Sequence, residues 1–193
     1  MVGPGPPCPA AVATQPLSSF SIQGPQREGF QRGPPRRRAT LGSMTTADEV
    51  ELWTDGACSG NPGRGGWAVI MRWRGQEREL CGAEAHTTNN RMELQAVLAG
   101  LEGLTRPSRV VVFTDSAYVE KAFTQNWLGK WQQNGWKTSA KKPVENQDLW
   151  QALLVAKAAH DVRFERVKGH AGVDLNERAD VLAVAARDGI AGT

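Results

Sequence analysis

The sequence predicts an α/β fold: a five-stranded mixed sheet, three antiparallel strands followed by two parallel ones, flanked by helices. Two observations predict it. Between residues 49 and 85, three strand-like runs are separated by Gly-containing turns at the spacing of a meander. From residue 88 onward the apolar period becomes helical, and short strand-like runs alternate with the helices.

In chain order, Glu49 to Thr54 reads as the first strand and Gly56 to Gly66, with Asn61-Pro62-Gly63, as a Gly-rich turn. Trp67 to Trp73 and Glu77 to Ala85 are the next two strands, joined by Arg74-Gly75-Gln76. A helix follows from about Thr88 to Leu104, capped by Thr87 or Thr88, with Leu94, Val97, Leu98, Leu101 and Leu104 on one arc. Arg109 to Thr114 is a buried strand, Ser116 to Thr124 and Trp127 to Gln133 are short helices, and Gly135 to Glu145 is a polar loop. Asn146 to Ala159 reads as a helix, Val162 to Val167 as the last strand, and Leu175 to Arg187 as the last helix, with Val181, Val184 and Ala185 on its apolar arc.

The first 43 residues hold eight of the eleven prolines and six glycines, with no sustained apolar period. Such a segment buries too little surface to offset its ordering entropy, so residues 1–47 are expected to be a disordered extension and 48–193 the folded domain. Charge divides at nearly the same place. Residues 1–43 carry five arginines against one glutamate, and the rest of the chain 18 basic against 19 acidic residues. The net charge of +3 therefore belongs to the extension, and nucleic-acid binding does not follow from it. Cys8, Cys58 and Cys81 form no CxxC pair, which argues against a disulfide framework and a zinc site and favours reduced thiols. With no run of 18 apolar residues and no secretory pattern, no membrane contact and a cytoplasmic location are expected.

Four carboxylates stand where solubility does not explain them. Asp55 follows the first strand, Asp115 ends the apolar run Val110–Thr114, and Glu93 and Asp180 lie near helix starts at the edge of an apolar face. Carboxylates that converge repel and raise one another's pKa unless a cation lies between them. Four such groups point to a divalent-metal site and to metal-assisted phosphoryl chemistry.

The surrounding residues resemble type 1 ribonuclease H. The resemblance rests on Thr54-Asp55-Gly56-Ala57-Cys58-Ser59-Gly60-Asn61-Pro62-Gly63, Thr87-Thr88-Asn89-Asn90-Arg91-Met92-Glu93-Leu94 and Thr114-Asp115-Ser116 with Tyr118. It continues through Gly135-Trp136-Lys137-Thr138, Lys142-Pro143-Val144, Asp148-Leu149-Trp150, Val167 to Gly172 and Asn176 to Asp180, and covers about residues 48–187. It implies the ribonuclease H-like fold and endonucleolytic hydrolysis of the RNA strand of an RNA–DNA hybrid, leaving 5′-phosphate and 3′-hydroxyl ends. It further implies two Mg²⁺ ions, or Mn²⁺ in their place, bridged by Asp55, with Glu93 and Asp115 holding one and Asp180 the other. A monomer with no obligate protein partner is expected.

The resemblance also assigns the remaining site residues. His170, in Lys168-Gly169-His170-Ala171-Gly172, would accept or relay a proton or help product leave; a surface histidine on a turn is the alternative. Cys58, Asn61, Asn89 and Asn90 match positions that contact the hybrid and test for 2′-hydroxyls, although Asn89 and Asn90 also suit a helix start and Cys58 a small buried side chain. Thr88 and Asn146 match the pair that grips a phosphate of the DNA strand. Trp127, Trp131, Trp136 and the lysines that include Lys142 match a projecting handle that packs on the hybrid, with local core as the other reading of the aromatics. Two departures bear on substrate grip. Gln132-Gln133-Asn134 carries no cation, so weaker affinity and a shallower salt dependence than in basic relatives are expected. Ala117 stands where the family often has a polar contact residue. The related transposases and integrases need further DNA-binding domains, and a pure hybrid-binding module would have lost a carboxylate.

Overall fold

Strands β1 (Val50–Gly60) and β2 (Gly63–Trp73) pair antiparallel along their whole length, from Glu51 opposite Arg72 to Gly60 opposite Gly63. The computed structural model describes residues 48–168 and 174–189. The expected turn from Gly56 to Gly66 is therefore only Asn61-Pro62, joined by a cis peptide bond. The glycines of this stretch are strand residues, and helix backbones cross closely over two of them, Gly56 and Gly66. A Cβ on Gly56 would lie 2.5 Å from the backbone nitrogen of Glu93, and one on Gly66 would lie 2.2 Å from the carbonyl oxygen of Ala183. Glycine inside a strand marks such close backbone approaches as readily as it marks a turn.

β3 (Gln76–Thr87) completes the meander on β2, and α1 (Asn89–Glu102) follows, with the Thr88 side chain accepting from the Arg91 N–H as N-cap. β4 (Arg109–Thr114) pairs parallel with β1, and β5 (Asp161–Arg166) parallel with β4, giving the order β3-β2-β1-β4-β5. Between β4 and β5 lie α2 (Ala117–Thr124), α3 (Trp127–Gln133) and α4 (Gln147–Ala158); α5 (Asp174–Gly189) ends the fold. The expected five-stranded mixed sheet with flanking helices is thus observed. The expected loop at Gly135–Glu145 contains a small hairpin, closed by a bridge between Lys137 and Pro143 and by the Val144 N–H donating to the Trp136 carbonyl at 3.0 Å.

Alternation along β1 assigns its faces. Leu52, with Val69, Val110 and Val112, packs into the main core formed with α1 and α4 around the fully buried Trp150. Trp53, with Ile70, packs against Leu175 and Ala179 of α5 on the other side. The buried residues of α5 are Leu175, Asn176, Ala179 and Ala183, whereas Val181, expected on its apolar arc, is 63% exposed. Alanines, not valines, face the sheet because the helix backbone rides against Gly66. Cys58 is a free thiol. The predicted extension, residues 1–47, and His170 lie outside the described residues.

Candidate active site

The parallel register of β1 and β4 sets Thr54 beside Thr114, so Asp55, inside β1, and Asp115, just past the end of β4, follow at neighbouring positions. Two buried threonines fix this place. The Thr54 hydroxyl donates to the Phe113 carbonyl at 3.2 Å, and Thr114 Oγ1 accepts from the Ser116 N–H at 3.1 Å, which turns the chain just past Asp115. Gly56 lets the first turn of α1 press against β1, bringing Glu93 to the same point. Ligand oxygens of Asp55, Glu93 and Asp115 then all lie within 4.8 Å of one another.

Glu93 is only 5% exposed, deeper than the helix-rim position the apolar arc implies. The arc counts one buried face, but α1 lies so close on β1 at Gly56 that Glu93 is buried against the strand. Glu93 Oε1 accepts from the Asn89 side chain at 3.4 Å, while Oε2 is buried without a hydrogen-bond partner. Asp55 Oδ1 accepts from the Gly56 N–H at 2.9 Å. Burial, and then the charges of Asp115 and Asp180, push Asp55 up to about 8. Burial, followed by the charges of Asp55 and Asp115, raises Glu93 well above the usual carboxylate range. Asp180, on α5, is outside the close trio but lines the same cleft, and its hydrogen bond with Asp55 favours the protonated form of that residue.

A cluster of hard oxygen donors, one of them buried and unpartnered, suits a divalent cation of the Mg²⁺ or Mn²⁺ kind. Protonation is the alternative that the two raised pKa values describe. The geometry also makes a prediction. Gly56→Ala forces the start of α1 away from β1, which costs about 1–3 kcal/mol of stability by overpacking. A displacement near 1 Å at a reacting site lowers kcat by about 10²-fold. Urea unfolding and steady-state kinetics of that variant measure both, and wild-type values in both would refute the packing argument.

The cleft, of about 520 Å³, is lined by Cys58, Asn89 and Asn90 as well as by the four carboxylates. Asn61 adjoins it, its Oδ1 accepting from the Asn89 N–H at 3.2 Å. Thr88 and Asn146 do not line the cleft; they stand at the starts of α1 and α4, where Thr88 caps its helix and Asn146, with a left-handed backbone at φ 55, makes no capping hydrogen bond. A bidentate pair from Arg91 to Asp148, at 3.0 and 2.6 Å, ties those two helix starts together. Trp127 and Trp136 are half-buried against the main core, with Trp127 5.9 Å from Trp131 and Trp131 5.7 Å from Trp150, so the handle aromatics act in part as local core. Lys142 is exposed on the hairpin.

Several cleft residues were not singled out as site residues by the sequence. Asn176, Val184 and Arg187 are among them and form, with the expected Asp180, a line at spacings of four, four and three along α5, one helical stripe facing the cleft. That spacing was the available signal, masked by reading the valines as core. Tyr118 also lines the cleft; its hydroxyl accepts from Trp150 Nε1 at 3.0 Å and is hydrogen-bonded to Asn146. Arg166 and Lys168 line a recess on the other side of Asp115.

Comparison with known proteins places this geometry. The RNase H family model matches residues 47–188. A ribonuclease H of Chromobacterium violaceum is 57% identical over 141 residues, spanning 72% of this chain and 95% of the relative. A ribonuclease H of Hyphomonas neptunium is 52% identical over 149 residues, spanning 77% and 99%. Among solved structures, LC9-RNase H1, described as a type 1 RNase H with the type 2 active-site motif, superposes with a TM-score of 0.67 at 35% identity, covering 76% of this chain and 75% of that one.

Proposed function

The chain belongs to the ribonuclease H family and is an endoribonuclease, and on that premise we propose that it hydrolyses the RNA strand of RNA–DNA hybrids by a two-metal-ion mechanism. The observation that carries this reading is the convergence of Asp55, Glu93 and Asp115 from three separate elements to within 4.8 Å, with Glu93 Oε2 left without a partner. Two Mg²⁺ ions, with Mn²⁺ as a substitute, would supply charge stabilisation for the entering and leaving oxygens of an in-line displacement.

In this proposal Asp55, Glu93, Asp115 and Asp180 hold the ions, and the depth of Glu93 keeps its carboxylate fixed. His170 takes or relays a proton, as its motif implies. Cys58, Asn61, Asn89 and Asn90 face the minor groove of the hybrid and test for 2′-hydroxyls. Thr88 and Asn146 grip a DNA-strand phosphate across the Arg91–Asp148 pair, while Trp127, Trp136 and Lys142 pack on the hybrid beyond it. The catalytic domain comprises residues 48–193 and the extension residues 1–47. A cytoplasmic monomer belongs to the same reading; among the described residues no helix is long and apolar enough to cross a membrane.

Water is the nucleophile in this chemistry: its oxygen bonds to phosphorus and the bond to the 3′ oxygen breaks. The products must therefore carry 5′-phosphate and 3′-hydroxyl ends. End-group analysis of the RNA fragments tests this. Fragments that a polymerase extends directly, and that a kinase labels only after dephosphorylation, are expected. Fragments ending in a 2′,3′-cyclic phosphate would mean that the RNA's own 2′-hydroxyl attacked, and would refute the mechanism.

A further inference from the structure

Past the end of β5 the chain keeps its place beside β4. Arg166 lies opposite Thr114 in the parallel register, and the Val167 N–H donates to the Thr114 carbonyl at 3.0 Å, one residue beyond the last strand position. Val167 packs against the core cluster of Trp53, Leu175 and Ala179. Strand alternation then sends Arg166 and Lys168 together to the opposite face. Both are exposed, and with Val167 and Asp115 they line a recess of about 450 Å³ on the side of Asp115 away from Asp55.

Other arginines of these two strands serve the fold: Glu49 holds Arg109 at 3.2 Å and Arg163 at 3.1 Å. Arg166 and Lys168 have no ion-pair partner among the described residues. The cleft beside them is poor in positive charge. Its lining carries Asp55, Glu93, Asp115, Glu177 and Asp180 against one arginine, Arg187, which Asp188 engages. Divalent ions would answer the scissile phosphate, but the phosphates on either side of it would face those acids. Neighbouring strands lie about 4.8 Å apart, so the recess opens about one strand spacing from Asp115 and two from Asp55. Phosphates of one nucleic-acid strand follow one another at about 3.4 Å of helical rise, which puts a neighbour of the scissile phosphate within reach of both cations.

We propose that Arg166 and Lys168 seat a phosphate of the cleaved strand that flanks the scissile one, and so fix where along the RNA the carboxylates cut. The inference rests on the hybrid-cutting reading. An arginine fork takes two phosphate oxygens and a lysine adds a compact charge, so the pair both orients and neutralises one phosphate. The complementary DNA strand is assigned elsewhere: Thr88 and Asn146 stand at the starts of α1 and α4 and line neither the cleft nor the recess. Both cations are positioning residues in this account, since the ions and the carboxylates do the chemistry.

The test is cleavage by the full chain of a strand in which a short run of ribonucleotides within DNA confines the cut, paired to DNA, with a single uncharged methylphosphonate linkage walked along either strand. Lys168→Gln and Arg166→Gln are each expected to lower kcat/KM about tenfold at low salt, the scale of one charge-assisted hydrogen bond. Each should also flatten the slope of log kcat/KM against log salt by about one, with a wild-type circular dichroism spectrum. Lys168→Arg should restore most of the loss. In wild type, a neutral linkage beside the cut on the ribonucleotide-bearing strand should lower kcat/KM about as much as Lys168→Gln does, and in Lys168→Gln that linkage should have no further effect. Variants that cut like wild type with an unchanged salt slope would overturn the proposal, as would neutral linkages that act equally in wild type and Lys168→Gln. Coupling confined to a DNA-strand linkage would move the cations to the other strand and also overturn it. Failure of wild type to cut the unmodified strand with Mg²⁺ would instead refute the hydrolase reading on which this one stands.

Discussion

Asp115→Asn is expected to abolish cleavage of the RNA strand while leaving the hybrid bound. The side chain sits just past the end of β4, level with Asp55 across the parallel register, and is one of three groups whose ligand oxygens lie within 4.8 Å. Asparagine keeps the shape and one oxygen but removes the charge that would hold a cation against the substrate phosphate. The loss in kcat should reach at least about 10³-fold, the scale seen when a preorganised charge stabiliser is removed. Affinity for hybrid in the absence of metal should not fall, because one negative charge facing the phosphates is gone. Single-turnover cleavage and anisotropy separate the two quantities. Cutting within about tenfold of wild type would remove Asp115 from the metal site.

The second large effect is on stability, and its sign is set by the pKa shifts. Asp55 is raised from 3.8 to about 8 in the folded protein, and Glu93 is also raised well above its ordinary value. Between those limits the folded state binds more protons than the unfolded chain. Unfolding free energy from these groups therefore falls as pH rises through that window, and levels off above the folded values. Without divalent ions, the protein should lose stability from about pH 4 to pH 8 relative to Asp55→Asn, which lacks the titrating group. At pH 8 the metal-free Asp55→Asn variant should melt about 5 °C above wild type, as a gain of one to two kcal/mol would give. Mg²⁺ should stabilise wild type more at pH 8 than at pH 5, because a bound cation replaces protons on the same oxygens. Thermal scans of both proteins, with EDTA and with Mg²⁺, measure this. Parallel pH profiles for the two proteins would show that Asp55 is not repelled by its neighbours.

Much of this site was legible in the sequence because the features that build it are local. Asp55 and Asp115 end up together because each follows a threonine, and the parallel register pairs Thr54 with Thr114, although β1 runs on past Asp55 to Gly60. Thr88 could be read as a cap because its hydroxyl reaches the third N–H of the same helix. What the sequence concealed depends on contacts between distant elements. The glycines from Gly56 to Gly66 look like a turn, yet they lie in strands, and at Gly56 and Gly66 helix backbones cross them. Glu93 looks like a rim residue until the close approach of α1 to Gly56 of β1 buries it. The buried side of α5 is alanine where hydrophobicity alone selects valine, since small side chains allow the close approach to Gly66. Asn176 was passed over for the same reason: its value lies in being one turn from Asp180 on a stripe whose direction only packing sets.

The central claim is that the carboxylate cleft cuts one strand of a hybrid, and only with a divalent cation. The most direct measurement uses a hybrid carrying different labels on its RNA and DNA strands, incubated with wild-type protein in EDTA and across a Mg²⁺ titration. The account predicts no cleavage in EDTA and saturable appearance of RNA fragments with Mg²⁺, the DNA strand remaining intact throughout. Cleavage in EDTA, or fragments from both strands, would contradict it.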